Sequence, residues 1–407
     1  MKKDLLFIVH RIPFPPDKGD KIRTYHMLRY LAERYRVTVV CMVDDPDDIQ
    51  HIETLRALVY QVHYRVRTTK MMKLWAIGAL FTGKPFTLQC FYSKHLQQEI
   101  DTYLDQYDPV SILCFCSSSA EYIFRSRHSL KTLQKKVLLN DLIDVDSEKW
   151  GDYAEKHRGL MRWLYRREEK LLLPCEQRII DSFDRTFLVS EEEKTILASQ
   201  FCVDKVEAIS NGVDLDYFSP LNVSKEQYPT APCKLVFTGA MDYWPNVEGA
   251  VWFAEKVFPA VKKEFADAVF CVAGRNPTDV VLELTKISGI EVTGTVADMR
   301  DHLSTATICV VPLLIARGIQ NKVLEGMAMQ KPVIATTGAA TGIKAIDGEE
   351  IVVVDDEMTM AQEIISLLKD SDRQCSLGLK ARAYVEREHS WDSHLCRLTE
   401  LIEEGTV

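Results

Sequence analysis

Two successive doubly wound α/β domains, with a cleft between them and a C-terminal helix, are predicted by three observations. Apolar runs of strand length alternate with helical stretches through the first half of the chain. The same alternation restarts after a polar, proline-containing stretch, "YFSPLNVSKEQYPTAPC" (217–233). A chain of 407 residues also exceeds one ordinary core. The boundaries drawn are 1–210 for the N-terminal domain, 211–233 for the linker, 234–385 for the C-terminal domain and 386–407 for a closing helix, free to pack back on the N-terminal domain.

The first βαβ unit runs "LLFIVH" (5–10), "KIRTYHMLRYLAERY" (21–35) and "VTVVCMV" (37–43), which implies parallel strands. Further strands are expected at 111–116, 136–144 and 185–190. In the second half they fall at 234–239, 268–274, 290–294, 307–312, 331–336 and 350–355, with a last helical stretch from about Ser376.

Composition excludes several classes. With 46% apolar and 27% charged residues the chain is globular, and a net charge of -9 argues against nucleic acid as a partner. Eleven cysteines lie singly apart from Cys114 and Cys116, without CxxC pairs or zinc-site spacing, so reduced cytoplasmic thiols and no metal are expected. "MKKDLLFIVH" reads as a first buried strand rather than a leader, because Arg11 ends its apolar run after about six residues. No stretch reaches the roughly 18 uncharged apolar residues that span a bilayer.

Ligands of open α/β sheets bind beyond the carboxyl ends of the strands, so the loops there carry the functional reading. "HRIPFPPDKGDKIRTYH" (10–26) places His10, Gly19, Asp20 and Arg23 where the next helix points its amides at an anion, or simply turns the chain. "NDLIDVDSEKW" (140–150) offers Asp144 and Asp146 to sugar hydroxyls; alternatively Asp146 or Ser147 caps the next helix. "ISNGVDLDYFSP" (209–220) reads as architecture, with a turn at Asn211-Gly212. "FTGAMDYWPNVEGAVWF" (237–253) opens a helix after Gly239, with Trp244 serving packing or ligand alike.

The fifth loop, "ARGIQNKVLEGMAMQKPVIAT" (316–336), is the most informative. Ile319, Val323 and Met327 recur at helical spacing as a buried stripe, while Lys322 and Glu325 share a neighbouring face near the helix start. A free helix N-terminus, a glycine and a lysine suit a diphosphate, and a carboxylate one turn later suits ribose hydroxyls. The plainer alternative is a solvated i, i+3 salt bridge.

On these residues the sequence resembles the retaining glycosyltransferases of family 4, of GT-B architecture. The similar blocks run in order: "PFPPDKGDKIRTYHMLRYLA", "FLVSEEEKTIL", "ISNGVDLDYFSP", "FTGAMDYWPN", "VAGRNP", "VTGTVADMRDHLSTATICVVPL", "GIQNKVLEGMAMQKPVIAT" and "REHSWD". "DVDSEKW" and "ARGIQNKVLEGMAM" further resemble the sugar transferases of exosortase (PEP-CTERM) systems.

The resemblance implies a cytoplasmic, metal-independent hexosyltransferase. It would take a nucleotide-diphosphate sugar, need no cofactor, and transfer with retention to a glycan or lipid-linked acceptor in exopolysaccharide or cell-surface glycan synthesis. Glu325 matches the second of the family's paired glutamates, the ribose ligand; Arg317 stands where the first would be. The family's Arg and Lys after the glycine of the 237–253 loop are missing, so Lys322 and Arg317 are expected to neutralise the diphosphate. The expected donor site comprises Gly239, Asn246, Gly274, Arg275, Gly318, Ile319, Gln320, Asn321, Lys322, Leu324 and Glu325. Lys322, Arg317, Asp144 and Asp146 are the expected catalytic groups, and His10, Gly19, Asp20 and Arg23 the acceptor side. A GT-B epimerase, or a subunit that binds nucleotide sugar without catalysis, are the alternatives. Two basic-apolar stretches, 70–86 and 156–173, read more plainly as core-packing helices with solvated basic faces and also suit the surface of an anionic membrane.

Overall fold

The computed structural model describes residues 2–16, 18–68, 83–222, 233–316 and 318–405. Arg317 and most of the 70–86 stretch lie outside them. The chain divides into two compact units, Met1–Ile209 with Leu395–Val407, and Ser210–His394.

The first unit is built on a seven-stranded sheet of order β3-β2-β1-β4-β5-β6-β7, formed by β1 (Asp4–Val9), β2 (Arg36–Val43), β3 (Gln61–Val66), β4 (Ser111–Phe115), β5 (Val137–Ile143), β6 (Arg185–Leu188) and β7 (Val206–Ala208). Every neighbouring pair is parallel. Helices cover both faces of such a sheet, which is why β1 and β4 read as unbroken apolar runs and are buried throughout apart from half-buried Asp4 at the start of β1. The second unit repeats the scheme with β8 (Lys234–Thr238), β9 (Val269–Ala273), β10 (Ile290–Val292), β11 (Ile308–Val311), β12 (Val333–Ala335) and β13 (Val352–Val353), again parallel, in the order β10-β9-β8-β11-β12-β13. Its core gathers Phe237, Phe253, Phe258 and Phe270 around the central strands. The strand order reverses between β1 and β4 in one unit and between β8 and β11 in the other, and these switch points are where crevices open in doubly wound sheets.

Three features depart from the sequence reading. The edge strands β3 and β7 were not anticipated: "QVHYRV" mixes polar residues through the run, and "VEA" is too short to show a period. The last helical stretch is two helices, Ser371–Glu388 and Trp391–Glu404. They separate where the His389 carbonyl accepts from Val213 N at 2.8 Å instead of from a helical amide, and Ser390 bridges to Val213 before starting the next helix.

The third departure concerns capping. Neither Asp146 nor Ser147 caps the helix Asp146–Lys156. Glu176, wholly buried on the following helix, accepts from Ser147 N at 2.9 Å and Ser147 Oγ at 2.6 Å, while Glu193 accepts from Val145 N at 2.8 Å. Glu168 serves the helix Phe86–Cys90 in the same way, through Phe86 N and Thr87 N. Buried carboxylates persist here because each satisfies helix-start amides that have no intrahelical partner.

Candidate functional site

Beside the switch point of the second unit, β8 and β9 are followed by Gly239 and Gly274, which run backbone against backbone. Gly239 N donates to Ala273 O at 3.0 Å, and a Cβ on Gly274 would lie 1.6 Å from Gly239 O. No other residue fits the second position. Arg275 O accepts from Met241 N at 2.8 Å, tying the two loops further.

Beyond β11 the chain turns at Gly318, φ 63°, and starts the helix Asn321–Ala328 from Gln320, which provides no side-chain cap. Gln320 turns its amide back to Gly318 O at 3.2 Å, and Asn321 Oδ1 is buried without a partner among the described residues. Val323, Leu324 and Met327 are wholly buried and fasten the helix to the sheet. Ile319 corrects the expected stripe: it precedes the helix, half-buried, and packs at its foot near Gly342.

Lys322 projects from the first turn back over the end of β8. Its Nζ donates to Asn246 Oδ1 at 2.5 Å and lies 5.1 Å from the centre of the Phe237 ring. Asn246, itself buried, is held by its Nδ2 on Ala240 O at 2.8 Å. Glu325 stays half-buried one turn on and acts on the ammonium through space, so the plain i, i+3 salt bridge is not formed. Burial is the stronger influence on both: it lowers Lys322 to about 8 against the pull of Glu325, and raises Glu325 to about 7 against Lys322. A cation with little water around it, beside a close-approach glycine and an uncapped helix start, has the chemistry an anion requires.

The titration has a measurable consequence. Below about 8, Lys322 is charged in the folded and unfolded chain alike; between about 8 and 10.5 only the unfolded chain keeps the proton. Stability therefore rises with pH across that window, while affinity for a fully ionised diphosphate falls. If the site takes a nucleoside diphosphate, calorimetric titration is expected to show Kd rising about tenfold per pH unit above about 8. Lys322→Arg, whose guanidinium keeps its charge, flattens the profile. A flat wild-type profile would show that Lys322 does not meet the phosphates.

The switch point of the first unit carries a second cluster. His10, at the end of β1, is packed between Phe91 and Phe115 and reaches Asp20 Oδ2 with Nε2 at 3.2 Å. Arg11 joins Asp20 at 2.9 Å to Asp44, after β2, at 2.9 Å. Burial pushes the Asp20 carboxyl up, but His10 and Arg11 prevail and hold it well below the usual range. Gly19 is the exposed first residue of the helix Gly19–Arg34, with open space where a Cβ would stand. Arg23 and Asp141, both fully buried, pair at 2.8 Å beneath the loop.

After β5, Asp146 accepts from Ser117 Oγ at 2.9 Å, and Asp144 lies 3.9 Å from Lys149 Nζ. Burial raises Asp146 despite Lys149 and Ser117, and its carboxyl is placed to accept hydrogen bonds from sugar hydroxyls. Arg11, Asp44, Ser117, Asp141 and Lys149 escaped the sequence reading as site members. "CSSS" (116–119) held the recoverable signal, since small polar residues there open a helix directly after β4. Among the described residues, no helix is long and apolar enough to cross a membrane, and no three or more His, Cys, Asp or Glu gather as a metal site.

The fold of the chain is GT-B, two parallel sheets flanked by helices and closed by C-terminal helices. Residues 232–370, all within the second unit, match the family model described as glycosyl transferases group 1. Among solved structures, the sucrose-phosphate synthase of Thermosynechococcus elongatus is similar, with a TM-score of 0.70, 18% identity and 99% of each chain covered. HepE of Anabaena, solved in complex with UDP and glucose, superposes with a TM-score of 0.67 at 14% identity, over 99% of this chain and 100% of its own. By sequence, the chain is 23% identical over 390 residues to a Klebsiella pneumoniae protein described as an uncharacterized 44.6 kDa protein in cps region, covering 93% of this chain and 94% of that one.

Proposed function

We propose that the protein is a retaining, metal-independent hexosyltransferase of family 4. It moves a sugar from a nucleotide-diphosphate donor to a hydroxyl of a glycan or lipid-linked acceptor, on the cytoplasmic side of a membrane that it meets peripherally. The observation that carries the reading is the Lys322 ammonium, poor in water and fixed by Asn246 over the end of β8 beside Gly239. A departing diphosphate gains negative charge in the transition state, and a preorganised cation stabilises that charge without rearrangement. Glu325, one turn further along, takes the ribose hydroxyls. The departing phosphate assists removal of the acceptor proton on the same face of the sugar, which retains the anomeric configuration. The first unit's cluster around His10, Asp20, Asp144 and Asp146 receives the acceptor hydroxyl. The complex of HepE with UDP and glucose supports a uridine donor. The cps-region relative supports a place in exopolysaccharide synthesis, to which the resemblance adds an exosortase (PEP-CTERM) setting.

Thermal unfolding with UDP-, GDP- and dTDP-sugars tests the donor. At a hundred times Kd the preferred nucleotide sugar is expected to add about 2.7 kcal/mol to the second unit's stability, and Glu325→Ala to remove most of that gain. If no nucleotide sugar shifts the transition, the donor site is elsewhere. A donor that isomerises without any acceptor would identify an epimerase instead.

A further inference from the structure

The helices Asp146–Lys156 and Gly159–Ser182 pack on each other as a hairpin in the first unit, joined by a short turn. Every residue from Glu155 to Trp163 is exposed. Within that stretch Leu160 is 71% exposed, Met161 42% and Trp163 56%, so one helical turn presents three large apolar side chains to water. Leu160 and Trp163 stand three residues apart and share a face. Around them are Lys156, Arg158 and Arg162; Arg158 and Arg162 enter no ion pair among the described residues, and the acidic Glu155 is answered by Arg166 at 3.2 Å. The stem below is stiff. Trp150 meets Phe86 at 5.0 Å and Tyr165 at 5.4 Å, and the His157 ring holds Tyr153 O at 2.8 Å.

We propose that this hairpin tip docks on the surface of an anionic lipid bilayer. Leu160, Met161 and Trp163 enter the boundary between headgroups and acyl chains, and Arg158, Arg162 and Lys156 meet lipid phosphates. The chemistry selects this occupant. One turn of helix is far too small for a stable protein interface, which buries roughly 800 Å² on each partner. A second copy of the chain, related by a two-fold axis, would set Arg158 and Arg162 against themselves. A bilayer supplies apolar depth and negative charge together, and an aromatic residue with basic neighbours suits its interface. The local positive charge stands on a chain whose net charge is -9, so attraction to anionic lipid is a property of this patch and not of the whole molecule. The inference deepens the proposed function by giving the surface that carries a lipid-linked acceptor. Its test uses neither donor nor acceptor, so that the two readings fail separately.

Full-length protein is sedimented with vesicles of phosphatidylcholine alone, or with about a third phosphatidylglycerol, at low salt and at high salt, where exposed charges are screened. The expected result is binding to the anionic vesicles only, reduced at least several-fold by salt. Leu160→Glu/Trp163→Glu is expected to reduce it about tenfold or more, and Arg158→Gln/Arg162→Gln several-fold. These side chains are exposed, so both variants should keep the wild-type unfolding temperature, and UDP binding should not change. Wild-type protein that stays in the supernatant, or a Leu160→Glu/Trp163→Glu variant that sediments like wild type, overturns the proposal. So does a concentration-dependent dimer in velocity sedimentation that the same variant abolishes, since that assigns the tip to a contact between chains.

Discussion

Lys322→Ala is expected to lower kcat for sugar transfer by about 10²–10³-fold, the usual loss when one preorganised group facing transition-state charge is removed. The ammonium is already placed: Asn246 fixes its direction, and the backbone at Gly239 leaves room beside it. Burial has already lowered its affinity for a proton, so much of the cost of taking it out of water is met during folding and not during the reaction. Removing it should leave the fold intact, because the loss of one hydrogen bond to Asn246 is set against relief of a poorly hydrated charge. The unfolding temperature is expected to stay within a few degrees of wild type. Asn246→Ala should fall between the two, since Nζ survives but loses its guide. Turnover of Lys322→Ala within a few-fold of wild type would remove Lys322 from the mechanism.

The second large effect is on stability. Arg23→Met is expected to cost the first unit about 3–5 kcal/mol, because it leaves the fully buried carboxylate of Asp141 without its ionic partner. Burial already holds Asp141 above the ordinary carboxylate range in spite of Arg23. Without the guanidinium that carboxyl takes up a proton in the folded chain and gives it up in the unfolded one. The penalty therefore grows as pH rises above the value Asp141 has in the folded wild-type protein, itself raised from 3.8, and denaturant unfolding at pH 5 should show a smaller loss than at pH 8. Arg23→Met/Asp141→Leu, which removes both charges, should recover most of the loss. A cost below about 1 kcal/mol for Arg23→Met alone would mean that water reaches the pair.

What could be read from the sequence follows from where each signal resides. β1, β2, β4 and β8 are legible because a parallel strand covered on both faces must be apolar along its length, a property of consecutive residues. β3 is not, because an edge strand tolerates Gln61, His63 and Arg65. Lys322 and Glu325 belong to one short helix and could be paired by counting. The partner of Lys322 could not, since Asn246 stands 76 residues earlier and no local pattern joins them. Glu176 and Glu193 read locally as solvated charges on helices; only the fold carries them 29 and 48 residues back to the start of the helix Asp146–Lys156. The same distance hides the Arg23–Asp141 pair, 118 residues apart. Chemistry supported by neighbouring positions was visible, and chemistry assembled by chain reversal was not.

The division of the chain has a consequence for its biogenesis. The second unit is one continuous segment, Ser210–His394, whereas the first is completed by Leu395–Val407. Arg397 in that closing piece binds Glu207 at 2.9 Å, and Leu398 and Leu401 are buried. During synthesis the second unit therefore has all its residues before the first, although the first begins earlier. A domain that starts first and finishes last must wait, with part of its apolar surface uncovered, for the whole length of its neighbour to be made. At ordinary elongation rates of about 5–20 residues per second that wait lasts on the order of ten seconds or more, the interval in which a chaperone would find it.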